Sequence, residues 1–255
     1  MMRVTFLGTG TSSGIPVVGC DCSTCRSDDP HDRRLRPSVF LELSDATRVL
    51  IDTTPDFRSQ ALRFGLTGLD LILFTHYHAD HIMGLDDVRP FNFFQKSVIP
   101  CLGDASTLAA LRRVFAYVWD PATPKGGGLP QLRLLEIAGR FSVGCVEVVP
   151  VPLLHGAHPI LGYRLGDFAY LTDCSEIPSS SWPLLDQLDV LVLDALRHRP
   201  HPTHLSLDQA IEIAARVGAR RTYFTHMCHH LPHAETCASL PPGVTLAHDG
   251  LIIDC

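Results

Sequence analysis

The sequence contains no apolar run that approaches the roughly 20 residues needed to cross a bilayer, which argues against a membrane-spanning helix. Its first residues, MMRVTFLGTGTSSG, lack the long apolar core and the small-residue cleavage site of a secretory signal peptide. We therefore expect a cytoplasmic protein without a membrane partner, in which thiols stay reduced.

An excess of basic residues is also missing. Lys and Arg number 21 against 27 Asp and Glu, which gives a formal net charge of −6. An extended nucleic-acid surface normally needs a clustered basic face, so this balance argues against nucleic acid as a partner. It is compatible with a small anionic substrate, because a metal site supplies positive charge that a count of side chains omits.

Short β-branched and apolar runs recur along the chain and predict strands that are buried on one or both faces. They lie at residues 3–7, 39–43, 48–51, 69–74, 98–102, 146–151, 168–171, 190–193 and 222–224. Helices are predicted at residues 57–64, 105–117 and 206–217, the last with a capping box and a terminal glycine. Strands with interspersed helices predict the α/β class, and we expect one domain over residues 1–255.

The densest group of chemically active side chains follows the predicted strand at residues 69–74. His76, His78, Asp80 and His81 lie within six consecutive positions, and imidazole and carboxylate are the ligands of Zn, Mn and Fe. His76 and His78 can converge on one ion from an extended backbone, while Asp80 and His81 can face a second ion. A solvated loop would explain any one of them alone, whereas the four together indicate a metal site.

Three of the nine cysteines are packed into one short segment: Cys20, Cys22 and Cys25. An odd number of cysteines, the other six of them scattered, argues against a disulfide framework in a cytoplasmic protein. A fourth ligand would complete a tetrahedral structural zinc site, and Cys₃His is a common composition for one. Reduced, inert thiols are the alternative.

The pattern His76-x-His78-x-Asp80-His81 resembles the signature of the metallo-β-lactamase superfamily. Further segments are similar to its branch of PhnP-type cyclic-phosphate phosphodiesterases: Phe6-Leu7-Gly8-Thr9-Gly10, the cysteine segment, Leu171-Thr172-Asp173, Thr203-His204-Leu205, Phe224-Thr225-His226 and Asp249-Gly250. The resemblance covers nearly the whole chain. It implies an αββα sandwich of two mixed sheets flanked by helices, and it suggests a homodimer. Cys174 and His248 depart from the pattern of that branch.

The resemblance also implies the remaining ligands. One ion would be held by His76, His78 and His155, and the other by Asp80, His81 and His226, with Asp173 between the two. The position of His229, three residues beyond His226, matches the fourth ligand of the structural zinc, with Cys228 and His230 as neighbouring alternatives.

Two residues are predicted to act in catalysis. Asp80, together with Asp173, would orient the attacking hydroxide as well as bind metal. His204 matches the general acid of the PhnP branch and would give a proton to the leaving group. Its alternative is one of several surface histidines on a loop that also carries His198 and His201.

These features predict a metal-dependent hydrolase with two divalent ions (Zn, Mn or Fe), one structural zinc and a small or cyclic phosphodiester as substrate. A nuclease of the tRNA-processing type is an alternative, although the net charge is negative and no long basic insertion is present. A non-hydrolytic protein like PqqB, which acts in pyrroloquinoline-quinone biosynthesis, is another, although its kind has an altered metal motif. The ligands alone do not distinguish thioester or β-lactam hydrolysis.

Overall fold

The architecture is seen in a computed structural model that describes residues 2–124, 126 and 128–255. Its strands are β1 Arg3–Gly8, β2 Ser38–Glu42, β3 Arg48–Ile51, β4 Leu71–Leu73, β5 Ile99–Gly103, β6 Leu132–Glu136, β7 Phe141–Val143, β8 Val146–His155, β9 His158–Leu165, β10 Phe168–Leu171, β11 Val190–Asp194, β12 Arg221–Thr225, β13 Val244–Leu246 and β14 Ile252–Asp254. Its α-helices are α1 Phe57–Arg63, α2 Ala79–Ile82, α3 Arg89–Gln95, α4 Ala105–Val114, α5 Leu207–Val217 and α6 His233–Ser239. Short 3₁₀ turns lie at Pro30–Asp32, Leu85–Val88, Ala116–Val118 and Trp182–Leu185.

The strands form two mixed sheets of seven strands each. The first sheet has the order β14-β1-β2-β3-β4-β5-β6, and the second has the order β13-β12-β11-β10-β9-β8-β7. Each sheet is antiparallel on one side and parallel on the other. The parallel sets are β3 to β6 in the first sheet and β10 to β13 in the second.

The two sheets pack face to face, and helices cover both outer faces. Alternate residues of β11 show the arrangement, since Val190 and Val192 belong to the core between the sheets, whereas Leu191 and Leu193 face the outer layer with α5. The outer layer of the first sheet holds Phe57 of α1 and other apolar side chains of α3 and α4. The predicted αββα sandwich is therefore confirmed.

The best-predicted helix is α5. Ser206 caps it by accepting a hydrogen bond from the backbone N–H of Gln209, and Gln209 accepts one in return from the backbone of Ser206. Gly218 ends the helix in the left-handed conformation with φ 68°. The predicted helix at residues 105–117 is shorter in the structure, because α4 stops at Val114 and a 3₁₀ turn follows. No helix in the described part of the chain combines the length and the apolar character that crossing a bilayer requires.

The parallel strands position the candidate site, because their carboxyl ends meet at one edge of the sandwich. In the first sheet, β3 is followed directly by Asp52, and β4 runs into the segment that contains His76. In the second sheet, β10 leads to Asp173, β11 ends at Asp194, and β12 is followed directly by His226. Polar side chains from both sheets are thus delivered to the same edge.

Candidate metal centre

The structure brings the predicted active-site ligands together in two adjoining groups. Within each group the potential ligand atoms lie within 4.8 Å of one another. The first group contains His76, His78 and His155, and the second contains Asp80, His81, Asp173 and His226. This division follows the one that the family resemblance implied.

Asp173 lies between the two groups. Its Oδ2 atom is 3.9 Å from Nε2 of His76, while its Oδ1 atom is 3.3 Å from Nε2 of His81 and 3.1 Å from Nε2 of His226. The residue is 1% exposed. One buried carboxylate therefore presents one oxygen to each group, as a ligand shared by two ions would.

Three residues of this edge have a left-handed backbone although none is glycine. The φ angles are 65° at Asp52, 56° at Asp173 and 59° at His226. For a residue with a side chain this conformation costs about 1–2 kcal/mol. Each follows closely on the end of a strand, so the turn stops the strand and redirects the side chain into the site.

Several imidazoles are oriented through the ring nitrogen that faces away from the centre. Nδ1 of His81 lies 2.7 Å from Oδ2 of Asp52, and Nδ1 of His155 lies 2.7 Å from the backbone oxygen of Thr203. Asp52 also accepts a hydrogen bond of 2.8 Å from the backbone N–H of Thr75. Metal-binding histidines typically have such partners, which fix the tautomer and turn Nε2 towards the ion.

The inward-facing atoms of the centre support metal binding. Nε2 of His76, Oδ2 of Asp80, Nε2 of His81 and Nε2 of His226 are buried, and they form no hydrogen bond with a described residue, although carboxylate oxygens lie as close as 3.1 Å. Each such atom costs about 1–3 kcal/mol if it is left unsatisfied. Divalent cations would satisfy all of them, and imidazole with carboxylate is a donor set suited to Zn, Mn or Fe. The residues therefore fit a pair of divalent ions.

The pKa shifts of two predicted ligands are consistent with this fit, whereas His81 differs from them. At His81 the carboxylates of Asp173 and two neighbouring aspartates overcome the effect of burial and raise the pKa, so that a metal ion competes with a proton there. Burial lowers the pKa of His76 well below that of a free imidazole. Burial alone would raise the pKa of the Asp173 carboxyl, but the imidazoles of His226 and His81 hold it well below its usual range. At neutral pH these two residues thus have the protonation states that bind metal, a neutral imidazole and an ionised carboxylate.

His204 lies at the rim of the two groups. Its ring stacks on that of His226, with centroids 4.8 Å apart and 13° between the planes, and its edge meets the ring of His155 at 4.7 Å. Nδ1 of His204 is 3.4 Å from Oδ1 of Asp194, whose other oxygen accepts a hydrogen bond of 2.9 Å from the backbone N–H of Leu205. Burial lowers the pKa of His204.

Two carboxylates of this site, Asp52 and Asp194, were not predicted from the sequence. Oδ1 of Asp194 lies 3.4 Å from Nδ1 of His204 and 3.5 Å from Nδ1 of His226, so one buried carboxylate faces both the proposed acid and a predicted ligand. The available signal was an aspartate at the end of a buried strand, at residue 52 after β3 and at residue 194 in β11. By contrast, Nδ1 of His201 faces Thr203, and His201 is in neither group.

The three clustered cysteines form a second candidate site with His229. The Sγ atoms of Cys20, Cys22 and Cys25 lie 3.3, 3.5 and 3.4 Å from Nδ1 of His229. Tetrahedral Zn–S and Zn–N bonds of about 2.3 and 2.0 Å place sulfur and nitrogen about 3.5 Å apart. The four residues therefore have the spacing of a Cys₃His zinc site, and the alternatives Cys228 and His230 are not among them.

One short segment connects the two sites, since His226 and His229 are three residues apart. Met227 between them is fully buried, donates to the backbone oxygen of Thr9 at 3.0 Å and accepts from the N–H of Thr11 at 3.0 Å. The buried Arg34 adds a hydrogen bond of 3.2 Å from Nη1 to the backbone oxygen of Cys228. The segment is thereby held against the N-terminal loop that carries the cysteines.

Comparison with known proteins agrees with this geometry. Residues 47–227 match the family model of the β-lactamase superfamily domain. The chain belongs to this superfamily. A solved structure of a diphosphatase from the PhnP family is 48% identical, with a TM-score of 0.93 and coverage of 100% of this chain and 98% of that one. The predicted metallo-β-lactamase fold and the PhnP-like branch are therefore confirmed, and the similarity to a diphosphatase supports the predicted metal-dependent hydrolase.

Curated relatives are more varied. An octanoyltransferase of Porphyromonas gingivalis is 39% identical over 99% of this chain, which spans 52% of that relative's length. A ribonuclease Z of Pyrobaculum aerophilum is 25% identical over 84% of this chain and 89% of its own length. A coenzyme PQQ synthesis protein B of Rhodopseudomonas palustris is 37% identical over 55% of this chain and 54% of its own length. The superfamily is thus shared by proteins with different activities.

Proposed function

We propose that this protein hydrolyses a P–O bond in a small or cyclic phosphodiester, or in the related diesters of diphosphate, which have one ester and one anhydride bond at each phosphorus. The reaction would take place with two divalent metal ions bound by His76, His78, Asp80, His81, His155, Asp173 and His226. A structural zinc ion would be bound by Cys20, Cys22, Cys25 and His229. The metal-binding roles of these residues rest on the geometry and the donor set described above.

The observation that carries the proposal is the shared carboxylate of Asp173, with one oxygen towards each group of ligands. A shared ligand holds two ions close together, as in enzymes that stabilise both the attacking and the leaving oxygen of an in-line displacement at phosphorus. The substrate class is supported by the similarity to the PhnP-family diphosphatase, which extends over the whole chain.

Divalent ions in the two groups would supply positive charge to the phosphate and lower the pKa of a bound water. Asp80 and Asp173 are the carboxylates beside that position and would accept hydrogen bonds from the attacking water and so orient it. His204 would act in its protonated form, whose charge the carboxylate of Asp194, 3.4 Å from Nδ1, would stabilise, and it would give the proton on Nε2 to the leaving oxygen. This proton matters most when the leaving group is a poor one.

The test is hydrolysis of bis(p-nitrophenyl) phosphate by the purified protein as isolated, after chelation, and after Mn²⁺ or Zn²⁺ is restored. We expect turnover that disappears with the chelator and returns with the metal. The Asp173→Asn variant serves as the control for contaminating phosphodiesterases. Turnover that survives both chelation and the substitution would contradict the proposal.

A substrate panel then separates the phosphodiester classes. A 2′,3′-cyclic nucleotide, a dinucleoside diphosphate and a precursor tRNA would be compared by kcat/KM under the same metal conditions. Preference for either small substrate supports the proposal. Preference for precursor tRNA would favour the nuclease function of the ribonuclease Z relatives instead. Failure to cleave any phosphodiester with the metal sites shown to be filled would refute the proposed reaction.

A further inference from the structure

Three histidines that have no role in the sites above lie together on the other side of the N-terminal loop. His31 belongs to the 3₁₀ turn Pro30–Asp32, His233 begins α6, and His248 precedes β14. Ring centroids are 4.7 Å apart for His31 and His233, 4.1 Å for His31 and His248, and 5.9 Å for His233 and His248. We call these three residues the outer histidine cluster.

The spacing of these rings matches that of the three predicted histidine ligands in the first active-site group. In that group the centroids of His76, His78 and His155 are 4.5, 5.5 and 5.1 Å apart. Three imidazoles bring mutual repulsion when protonated and lose solvation when packed together. Neutral rings avoid the repulsion but stay poorly solvated, and a cation bound between them would give their nitrogens a partner.

The partners of the outer rings also repeat a pattern from the active centre. Nδ1 of His31 lies 3.4 Å from a carboxylate oxygen of Asp29, and Nδ1 of His248 lies 3.3 Å from the backbone oxygen of Asp249. In the active centre, a carboxylate and a backbone oxygen lie closer, at 2.7 Å, to Nδ1 of two predicted ligands. Carboxylates and carbonyls in this position orient a histidine and increase its basicity towards a metal, which leaves Nε2 of both residues as the donor atom.

The third ring offers an unused nitrogen as well. Nδ1 of His233 is buried, and none of the described residues forms a hydrogen bond with it. Its Nε2 atom lies 3.7 Å from Sγ of Cys237. The nitrogen of His233 that remains for a metal ion is therefore Nδ1. Burial, with a further contribution from His31, lowers the pKa of His233 to about 4, which keeps this imidazole neutral at physiological pH.

We propose that the outer histidine cluster binds a divalent transition-metal ion of the Zn²⁺, Ni²⁺ or Cu²⁺ class through His31, His233 and His248. Imidazole ligands suit these metals, whereas Mg²⁺ and Ca²⁺ require oxygen ligands. The three donor nitrogens do not yet lie within one coordination sphere, so the ion draws them together by rotation of the side chains. These rings are partly exposed, which permits that rotation.

Such an ion would join three parts of the chain that are distant in sequence. The turn at His31 follows the cysteine segment, while His233 and His248 come from the last part of the second sheet and the return to the first. Binding to the folded state alone would stabilise it by a free energy that grows with the logarithm of the ion concentration. An ion at this site would therefore stabilise the position of the N-terminal loop and would take no part in catalysis.

The test counts Ni²⁺ ions bound by folded protein that has first received three equivalents of Zn²⁺, enough for the two-ion centre and the cysteine site but not for the outer histidine cluster. After equilibrium dialysis against Ni²⁺, metal analysis should show one more equivalent of nickel in the wild type than in His248→Ala. His230→Ala is the matched control, because His230 is an exposed histidine outside the cluster. This control should bind as much nickel as the wild type.

Two further measurements make the result independent of any loss of folding. The Asp29→Asn variant keeps all three imidazoles, and its Ni²⁺ affinity should fall about 10–100-fold. Electron paramagnetic resonance of one equivalent of Cu²⁺ bound to the wild type should show coupling to three nitrogens. Equal nickel content in the wild type and His248→Ala, or an equal loss in His230→Ala, would overturn the proposal.

Discussion

The buried metal centre and the cysteine cluster are built in opposite ways. The ligands of the centre come from strand ends in both sheets, and most are buried, with exposures of 1% for His76, 1% for Asp173 and 0% for His226. In the cysteine cluster, three of the four ligands come from six consecutive residues of a loop, and only Cys25 is buried.

This difference indicates which of the two sites keeps its ligands in position without a metal ion. Around the buried centre, strand pairing and carboxylate partners fix the ligands before any ion arrives, as the contact of Asp52 with His81 shows. In the cysteine loop the local support is a few weak N–H···S bonds, such as those from Val17 to Cys25 and from Cys25 to Cys22. We therefore expect metal loss to affect chemistry in the first site and local order in the second.

The largest effect should come from Asp173→Asn, which tests whether chemistry at the centre can be removed while its fold remains. Asparagine has the same size and tolerates the left-handed backbone of this position. Turnover of bis(p-nitrophenyl) phosphate should fall more than about 10³-fold, while Tm changes little. A variant that loses its circular dichroism spectrum would show instead that the fold depends on this centre.

His204→Ala should have the next largest effect. Without the proposed acid, turnover of an alkyl ester should fall about 10²–10⁴-fold, and turnover of a p-nitrophenyl ester should fall less, because that leaving group needs no proton. The metal content should stay unchanged. His201→Ala, the neighbouring imidazole in neither ligand group, is the matched control. Equal kinetics of wild type and His204→Ala on the alkyl ester would exclude the role.

Asp52→Asn tests how far the buried centre depends on the residues around its ligands. The substitution weakens the contact that orients His81 but leaves every predicted metal ligand in place. The metal affinity of the centre should fall about 10–100-fold, and a high metal concentration should restore most of the activity. The measurement is turnover as a function of free metal concentration. Asp70→Asn is the control, because Asp70 is a carboxylate paired with Arg48 at the far end of β3. It should not change the dependence of turnover on metal concentration.

Cys25→Ser should have the smallest effect on turnover, within about 10-fold of the wild type, because the active ions are bound elsewhere. It should release one zinc ion per chain and lower Tm by about 2–4 °C for each kcal/mol lost. Zinc analysis and thermal melting of the variant measure both. Cys145→Ser, at an exposed cysteine outside the cluster, is the control. If Cys25→Ser were as inactive as Asp173→Asn, the two sites would not be separable.

The sequence predicted local features better than distant ones. Strands at residues 48–51 and 168–171 match β3 and β10, because their apolar runs are continuous and clearly bounded. Five strands of the described chain were missed: β7, β13 and β14, which have only three residues each, and β6 and β9, in which polar residues interrupt the apolar ones. Their existence depends on pairing with neighbours, which no short window of sequence records.

The same limit applies to the candidate site. The segment from His76 to His81 was visible because its donors are consecutive, whereas the remaining active-site ligands could be placed only through the family resemblance. Asp52 orients His81 across a separation of 29 residues, and no spacing rule links the two. Such a partner can be identified only from the folded structure, in which the ends of the parallel strands meet at one edge.

The three-residue step from His226 to His229 has a consequence for sequence variation. Surface loops usually accept inserted or deleted residues, because their ends can adjust. Here both ends are occupied by predicted ligands of different metal sites, and the backbone of Met227 is hydrogen-bonded on both sides. A single-residue deletion between them would misplace one ligand or the other, so alignments of functional homologues should contain no gap at this point.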